Sequence, residues 1–369
     1  MRFGSNASPV NVAAILADRS RRFLLTTGMT EASMQQHGVQ WPGLYWEKDP
    51  PAAEWDRALA QLGGHPLQSC LWGDARRSVD GIVQHRWLAH RNGEPVWMIR
   101  VEERRVPSGK IAWAPRGPTG GTAQTSLSVP PGLEERLRTE GFSLLICDPW
   151  VRVEGTRTNG FDMGGRTRPR TIWLDLTLGK DILFTNLHKQ ARKGVRRAAR
   201  GGVFIETAHD PRRIGEFVDL CSSVSVRKGF DLRVTTPLID ALLNDPRDRK
   251  DVDATLWISL KEARLGAGLL ILRAGRNVHQ MAGGTDRDLR QARVGEACQW
   301  GVIEWAIARG CTRYDLEGID PINNRTVYEF KRRLGGEEVT LRGHVHRPLT
   351  FSGRAMSWLI RRSAYGYVR

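Results

Sequence analysis

The chain is short of most features that would place it at once. Its five cysteines, Cys70, Cys147, Cys221, Cys298 and Cys311, are far apart and form no CxxC pair. That argues against a zinc site and a disulfide framework, and predicts reduced, mostly buried thiols. No stretch reaches the roughly 20 apolar residues of a membrane-spanning helix, and no charged-then-apolar leader is visible. The expected location is cytoplasmic, with the inner face of the membrane as an alternative. There is no GxxxxGK(S/T) loop, and Gly164-Gly165-Arg166-Thr167 lacks its spacing. Neither GxSxG nor HExxH occurs. His344-Val345-His346 sets two imidazoles on one face of a strand without a third ligand nearby. No metal and no cofactor are expected.

Acidic residues are also scarce. Against 56 Lys+Arg stand 40 Asp+Glu, a formal net charge of +16. An excess of that size suits a polyanionic partner: RNA, DNA, an anionic membrane face or a phosphorylated substrate. An Arg-rich genome would give the same total, so the placement of the charge decides.

What is present is a repeated order of elements. The 369 residues suit two domains. Residues 1–50 read as a partly mobile lead-in, and 52–62 as a helix ended by Gly63-Gly64. Strands are predicted over 82–89, 96–101 and 111–114, separated by turns at Arg91-Asn92-Gly93-Glu94 and Pro107-Ser108-Gly109. A helix over 132–140 and a strand over 142–147 close this unit. The order returns with strands over 256–260, 267–272 and 278–282, a helix over 291–309 and a strand over 312–316. Between the copies lie a strand over 172–176 and helices over 181–200 and 211–223.

The helix over 181–200 separates its residues by kind. Leu187, Ala191, Val195 and Ala198 recur at i, i+4, i+8 and i+11, while Lys189, Arg192, Lys193, Arg196, Arg197 and Arg200 lie opposite. A merely solvated face would interleave acids as i,i+4 partners, and Lys189–Arg200 has none. Asp181 near the start suits the helix dipole. Binding of tRNA or another phosphate is expected on these six cations; a solvated face is the competing reading. The stripe does not separate tRNA from a lipid pyrophosphate or an anionic membrane.

The helix that opens at Gln291 carries Ala292-Arg293-Val294-Gly295-Glu296-Ala297. This frame approximates the (Q/R)xxGx(G/A) turn with which GNAT N-acetyltransferases cradle the pyrophosphate of CoA at a helix start, but its first position is Ala. More widely, the chain resembles the Fem family of aminoacyl-tRNA-dependent transferases, which build peptidoglycan cross-bridges. The likeness runs over about residues 52–349. It is carried by Leu67-Gln68-Ser69 with Trp72-Gly73, by Ala114-Pro115-Arg116-Gly117-Pro118 and by Ile146-Cys147-Asp148-Pro149. It continues through Lys189–Arg200 with Gly201-Gly202-Val203, Arg227-Lys228-Gly229-Phe230, Gly310–Gly318 and Phe330-Lys331-Arg332-Arg333-Leu334-Gly335-Gly336. The coiled-coil arm of some members has no counterpart, so the compact, armless type is the match.

The resemblance implies an α/β (α+β) fold of two GNAT-like domains, each a mixed, mostly antiparallel sheet flanked by helices. The first domain would comprise residues 51–165 plus 343–369 and take the acceptor; the second, 166–342, would take the donor. The implied reaction moves an amino acid from aminoacyl-tRNA to an amine of a peptidoglycan precursor, or of a related small peptide or metabolite, without ATP. Lys331 would sit at the reacting carbonyl, with Phe330 walling the site. Arg76, Asp148 and Arg233 fall near positions that grip an acceptor, which in the family usually carries a pyrophosphate; Arg116 contacts substrate or braces its loop. The family's tyrosines are replaced here by Val278-His279-Gln280-Met281, which opens the question of the acceptor. Two alternatives stand beside this: an acyltransferase using acyl-CoA, and a non-catalytic RNA- or membrane-binding protein. The basic stretch 354–369, with Trp358, Leu359 and Ile360, reads either as a membrane contact or as a docked final helix.

Overall fold

The computed structural model describes residues 44–121, 132–153, 169–228, 234–247 and 250–362. β1 (Leu44–Lys48) leads into α1 (Ala52–Gln61) and α2 (Cys70–Asp80). A meander follows, β2 (Gln84–Arg91), β3 (Glu94–Val106) and β4 (Gly109–Arg116), then β5 (Thr119–Gly120), α3 (Leu133–Thr139) and β6 (Phe142–Pro149). The middle of the chain holds β7 (Arg170–Asp175), α4 (Gly179–Asn186), α5 (Lys189–Arg200), β8 (Val203–Ala208), α6 (Pro211–Lys228) and α7 (Thr236–Leu243). A second meander, β9 (Val252–Lys261), β10 (Arg264–Ala274) and β11 (Asn277–Thr285), precedes α8 (Val294–Ala308) and β12 (Arg313–Asp315). α9 (Arg325–Arg332), β13 (Glu337–Thr340), β14 (Val345–Pro348) and α10 (Phe351–Arg362) complete it.

The strands form two sheets, ordered β1-β2-β3-β4-β6-β14, with β5 beside β3, and β13-β7-β12-β11-β10-β9-β8. Each sheet is antiparallel except at one place. There a helix carries the chain from the third meander strand to a parallel neighbour: β4 to β6 through α3, and β11 to β12 through α8. Beyond that neighbour an antiparallel strand follows, β14 in one sheet and β7 in the other. The repeated order read from the sequence is thus a repeated topology, and β14 returns the chain to the first sheet.

Period-two alternation explains why both faces of the second sheet are covered. Leu270, Leu272 and Ala274 of β10 face a core shared with Leu88 and Met98 of the first sheet, with α1, α2, α6 and α7 around it. Ala267, Leu269 and Ile271 face the opposite core, under α4, α5 and α8. The shared core draws on both sheets, so they pack as parts of one compact unit over Leu44–Arg369. Among the described residues no helix is long and apolar enough to cross a membrane.

Three expectations are corrected. Residues 44–48 are not lead-in; they pair with β2 as an edge strand. The helix expected over 181–200 is two helices, because Leu187 and His188 are extended, with ψ of 142° and 144°. His188 then caps α5 by accepting from Gln190 N at 3.3 Å, while its own amide donates to Arg333 O at 2.9 Å. Asp181 therefore lies in the first turn of α4 and does not address the dipole of the basic helix. The helix expected from Gln291 begins at Val294, because Arg293 takes a left-handed φ of 63° after a 3-10 turn.

Small residues set the close approaches. A Cβ on Gly353 of α10 would lie 1.7 Å from the backbone oxygen of Ser143 in β6. Relief needs a backbone shift, and overpacking of this kind costs about 1–3 kcal/mol. Gly353→Ala is expected to lower stability by that amount in urea unfolding; an unchanged midpoint would show that α10 does not seat on β6 this closely.

Candidate functional site

The two parallel strand pairs deliver the charged groups of the site. Arg116 ends β4 opposite Pro149, and Asp148 precedes it on β6. On the other sheet His279 of β11 pairs with Asp315 of β12, and Glu317 follows two residues later. These ends meet around the Glu317 carboxylate. Its Oε1 accepts from His65 Nε2 at 2.8 Å and from His279 Nδ1 at 2.9 Å. Its Oε2 accepts from Arg116 Nη2 at 3.2 Å, and Arg116 Nη1 donates to Asp148 Oδ2 at 3.2 Å. Arg116 and Glu317 hold left-handed φ of 56° and 57°. Non-glycine residues there carry strain of about 1 kcal/mol or more, which the surrounding contacts must impose.

Asp315 lies beneath this cluster. It accepts from Trp150 Nε1 at 2.7 Å, Trp173 Nε1 at 2.8 Å and Glu317 N at 2.7 Å, and from the Thr171 hydroxyl. Burial, followed by the neighbouring Glu317 charge, raises its pKa. For Glu317 burial acts upward too, but Arg116 and His65 outweigh it and hold the carboxyl well below the usual range. Burial alone would lower Arg116, yet Asp148 and Glu317 raise it on balance. His65 is fully buried, and burial together with His279 lowers it from 6.5 to about 3, so it is neutral near pH 7.

His65, His279 and Glu317 have the residue types of a metal site, but their hydrogen bonds do not suit one. His65 Nδ1 accepts from Leu67 N at 3.1 Å, so its other nitrogen carries the proton that Glu317 receives. A metal on that nitrogen would demand an imidazolate, beside the Arg116 guanidinium. The set reads as a hydrogen-bonded histidine pair. Among the described residues, His279 Nε2 and Asp148 Oδ1 are buried without a partner.

Lys331 reaches the same cluster from α9. It is 7% exposed, and its Nζ donates to Glu317 O at 3.1 Å and Gly318 O at 3.0 Å. Among the described residues these bonds leave one of its three donors uncommitted. Burial lowers its pKa from 10.5 to about 8, opposed by Glu317 and Asp315, so the cation prevails at neutral pH. Lys331 and Phe330 also line a cavity of about 1340 Å³ between α5, α9, the end of β11 and the start of α8. Gly295 permits this closure: a Cβ there would stand 3.1 Å from Thr285 Oγ1 and 3.5 Å from the Phe330 ring.

The cavity gathers part of the basic stripe. Lys193, Arg196, Arg197 and Arg200 line it; Lys189 and Arg192 do not. Arg192 is turned back, donating to Leu187 O at 2.5 Å and to Thr185 O, and so closes the carbonyl end of α4. Arg287, Arg290, Arg293, Arg325 and Arg333 line the cavity from other segments. Of the expected acceptor residues, Arg116 and Asp148 join the Glu317 cluster. Arg76 instead pairs with Asp80 one turn along α2, and Arg233 lies outside the described residues. His344 packs its ring on Trp113, and His346 hydrogen-bonds Ser357 at 3.0 Å. Sequence reading missed His65, Asp315, Glu317 and the tryptophans. Asp315 and Glu317 stood inside a quoted motif, and His279 stood where tyrosine was expected, but nothing linear joined them to Arg116.

Comparison with known proteins fits this architecture. Residues 185–332 match the family model described as Acetyltransferase (GNAT) domain. No curated protein matches the chain. Among solved structures, FemX superposes with a TM-score of 0.71 at 18% identity, covering 86% of this chain and 100% of that one. L-PGS from Bacillus licheniformis superposes at 0.51 and 14% identity, covering 88% and 98%. The chain has the mixed α/β, two-sheet, GNAT-like fold of the Fem type.

Acid should weaken this cluster. His65 has a folded pKa of about 3 against 6.5 when unfolded. Between those values the unfolded chain binds the extra proton, so stability is complete above about 6.5 and falls as pH drops towards 3, by about 3–5 kcal/mol. Glu317, also depressed, adds a loss as pH passes below the ordinary carboxylate range. The urea midpoint should fall across this window, and His65→Gln should flatten the fall; an equal slope in the variant would place the titration elsewhere.

Proposed function

We propose that this chain is an N-aminoacyltransferase that takes an amino acid from aminoacyl-tRNA and joins it to an amine of a peptidoglycan precursor or a related small peptide or metabolite. The observation that carries the reading is the position of Lys331. It lines the cation-rich cavity on one side, and on the other its carbonyl partner Glu317 holds the Arg116–Asp148 pair of the first sheet. The cavity takes the charged tRNA end, and the first-sheet side takes the acceptor.

In the reaction the acceptor amine attacks the ester carbonyl. A C–N bond forms, the ester C–O bond breaks, and the amine proton ends on the ribose hydroxyl. An ester passing to an amide runs downhill without ATP. The uncommitted Lys331 donor stabilises the oxyanion as it develops; a donor placed in a dry site is worth about 3–4 kcal/mol. Phe330 walls the carbonyl from water. Arg116 is already neutralised by two carboxylates, so it acts by positioning Asp148. That carboxylate, held through Oδ2 by Arg116 Nη1, stands on the side that takes the acceptor.

A second reading is acyl transfer from acyl-CoA, favoured by the GNAT domain match and by a helix start that opens on the cavity. Purified protein given tRNA charged with radiolabelled amino acids and a panel of amines, in parallel with acetyl-CoA, separates the two. Ribonuclease-sensitive label transfer supports the proposal, whereas transfer from acetyl-CoA alone refutes it. Lys331→Ala should slow tRNA-dependent transfer about 100-fold or more with tRNA binding kept, and the wild-type rate should decline as pH rises past about 8, where Lys331 loses its proton. Survival of the rate in Lys331→Ala would remove the assigned role.

The stripe makes a separate prediction. Gln at Lys193, Arg196, Arg197 and Arg200 together should reduce the slope of log binding constant against log salt by about 3. Arg192→Gln should leave that slope unchanged and lower stability instead, because it caps α4. The reverse pattern would show that Arg192 faces the RNA.

A further inference from the structure

The last described helix leaves three of its five large apolar side chains outside. Ordinary surface helices bury their largest apolar side chains and expose polar ones. α10 buries Gly353, Met356 and Ser357 and packs Ile360 partly against the same core. It turns outward Phe351, Trp358 and Leu359, which are 61%, 53% and 57% exposed. The seating is fixed from beneath: Gly353 rests on Ser143 of β6, and Ser357 Oγ meets His346 Nδ1 of β14 at 3.0 Å. At 100° per residue the outward face runs from Arg354 and Arg361 through Phe351, Trp358 and Arg362 to Leu359. Arg362 stacks over the Trp358 ring at 4.3 Å. The helix contains no acidic residue.

We infer that this face of α10 docks the protein on an anionic lipid surface, lying along the headgroup boundary without crossing it. Aromatic and leucine side chains flanked by arginines match that boundary: rings and alkyl groups enter the acyl edge while guanidinium groups meet phosphates. Charge complementarity selects a lipid surface over a second copy of the chain. Two copies packed by this face would bring Arg354, Arg361 and Arg362 of each against the same cations of the other. No residue of α10 lines the cavity, so the face does not duplicate the tRNA groove, and the inference does not depend on the proposed reaction.

Full-length protein is co-sedimented with vesicles of phosphatidylcholine alone and of phosphatidylcholine containing one-third phosphatidylglycerol. Binding is expected to the second and not the first, and to weaken with added salt. Phe351→Ser/Trp358→Ser/Leu359→Ser should lower partitioning about 100-fold, with the melting temperature unchanged because these side chains are exposed. Arg354→Gln/Arg361→Gln/Arg362→Gln should lower it at least about tenfold. Absence of wild-type binding to anionic vesicles, or full binding by the serine variant, overturns the inference. So does a dimer, seen by light scattering, that the serine variant dissociates while vesicle binding is nil.

Discussion

Glu317 is a nearly buried carboxylate that must be satisfied from several directions at once. Its side chain takes hydrogen bonds from His65 and Arg116 on the first half of the chain and from His279 on the second. Its main-chain oxygen takes one from Lys331. A buried charge left unpaired is costly, whereas a fully bonded one fixes its surroundings. The parallel end of each sheet is therefore held against the other, the lysine is aimed through the backbone, and two residues are kept in left-handed conformations. Removing a partner would leave a charge behind, which makes the arrangement cooperative.

The duplicated topology serves two different ends. In both sheets the change from antiparallel to parallel pairing, made through the α3 and α8 crossovers, sets two strand ends side by side that point the same way. In the first sheet that place holds Arg116 and Asp148, an ion pair already neutral. In the second it opens into a cavity edged, among the described residues, by nine arginines and lysines besides Lys331, against the three carboxylates of Asp286, Glu296 and Glu329. That excess of cations round one hollow favours a polyanion. The same scaffold thus presents a compact, charge-balanced side and a wide cationic side, with Lys331 and Glu317 between them.

Regular elements were legible wherever local chemistry sufficed. Asn92 and Gly93 both take positive φ in the first hairpin turn, as an Asn-Gly pair foretells, and α1 stops before Gly63-Gly64. The break at Leu187-His188 was not legible. The apolar spacing runs on through it, and the extended residues are paid for by a contact with Arg333, far along the chain. The role of Arg192 was hidden for the same reason, since a cation on the polar face of a helical wheel looks free until the preceding helix end is placed beside it.

The sequence by itself determined the duplication, the basic character of Lys189–Arg200 and the motif that holds Lys331, because these depend on period, turn residues and charge within one stretch. The tertiary structure decided which cations share a cavity and that α10 shows three of its five large apolar side chains outward. It also decided that His65, Arg116, His279 and Glu317 make one cluster across more than 250 positions, from 65 to 317. Burial and hydrogen-bond partnership arise only when distant segments meet, and they move the titration of His65, Asp315, Glu317 and Lys331.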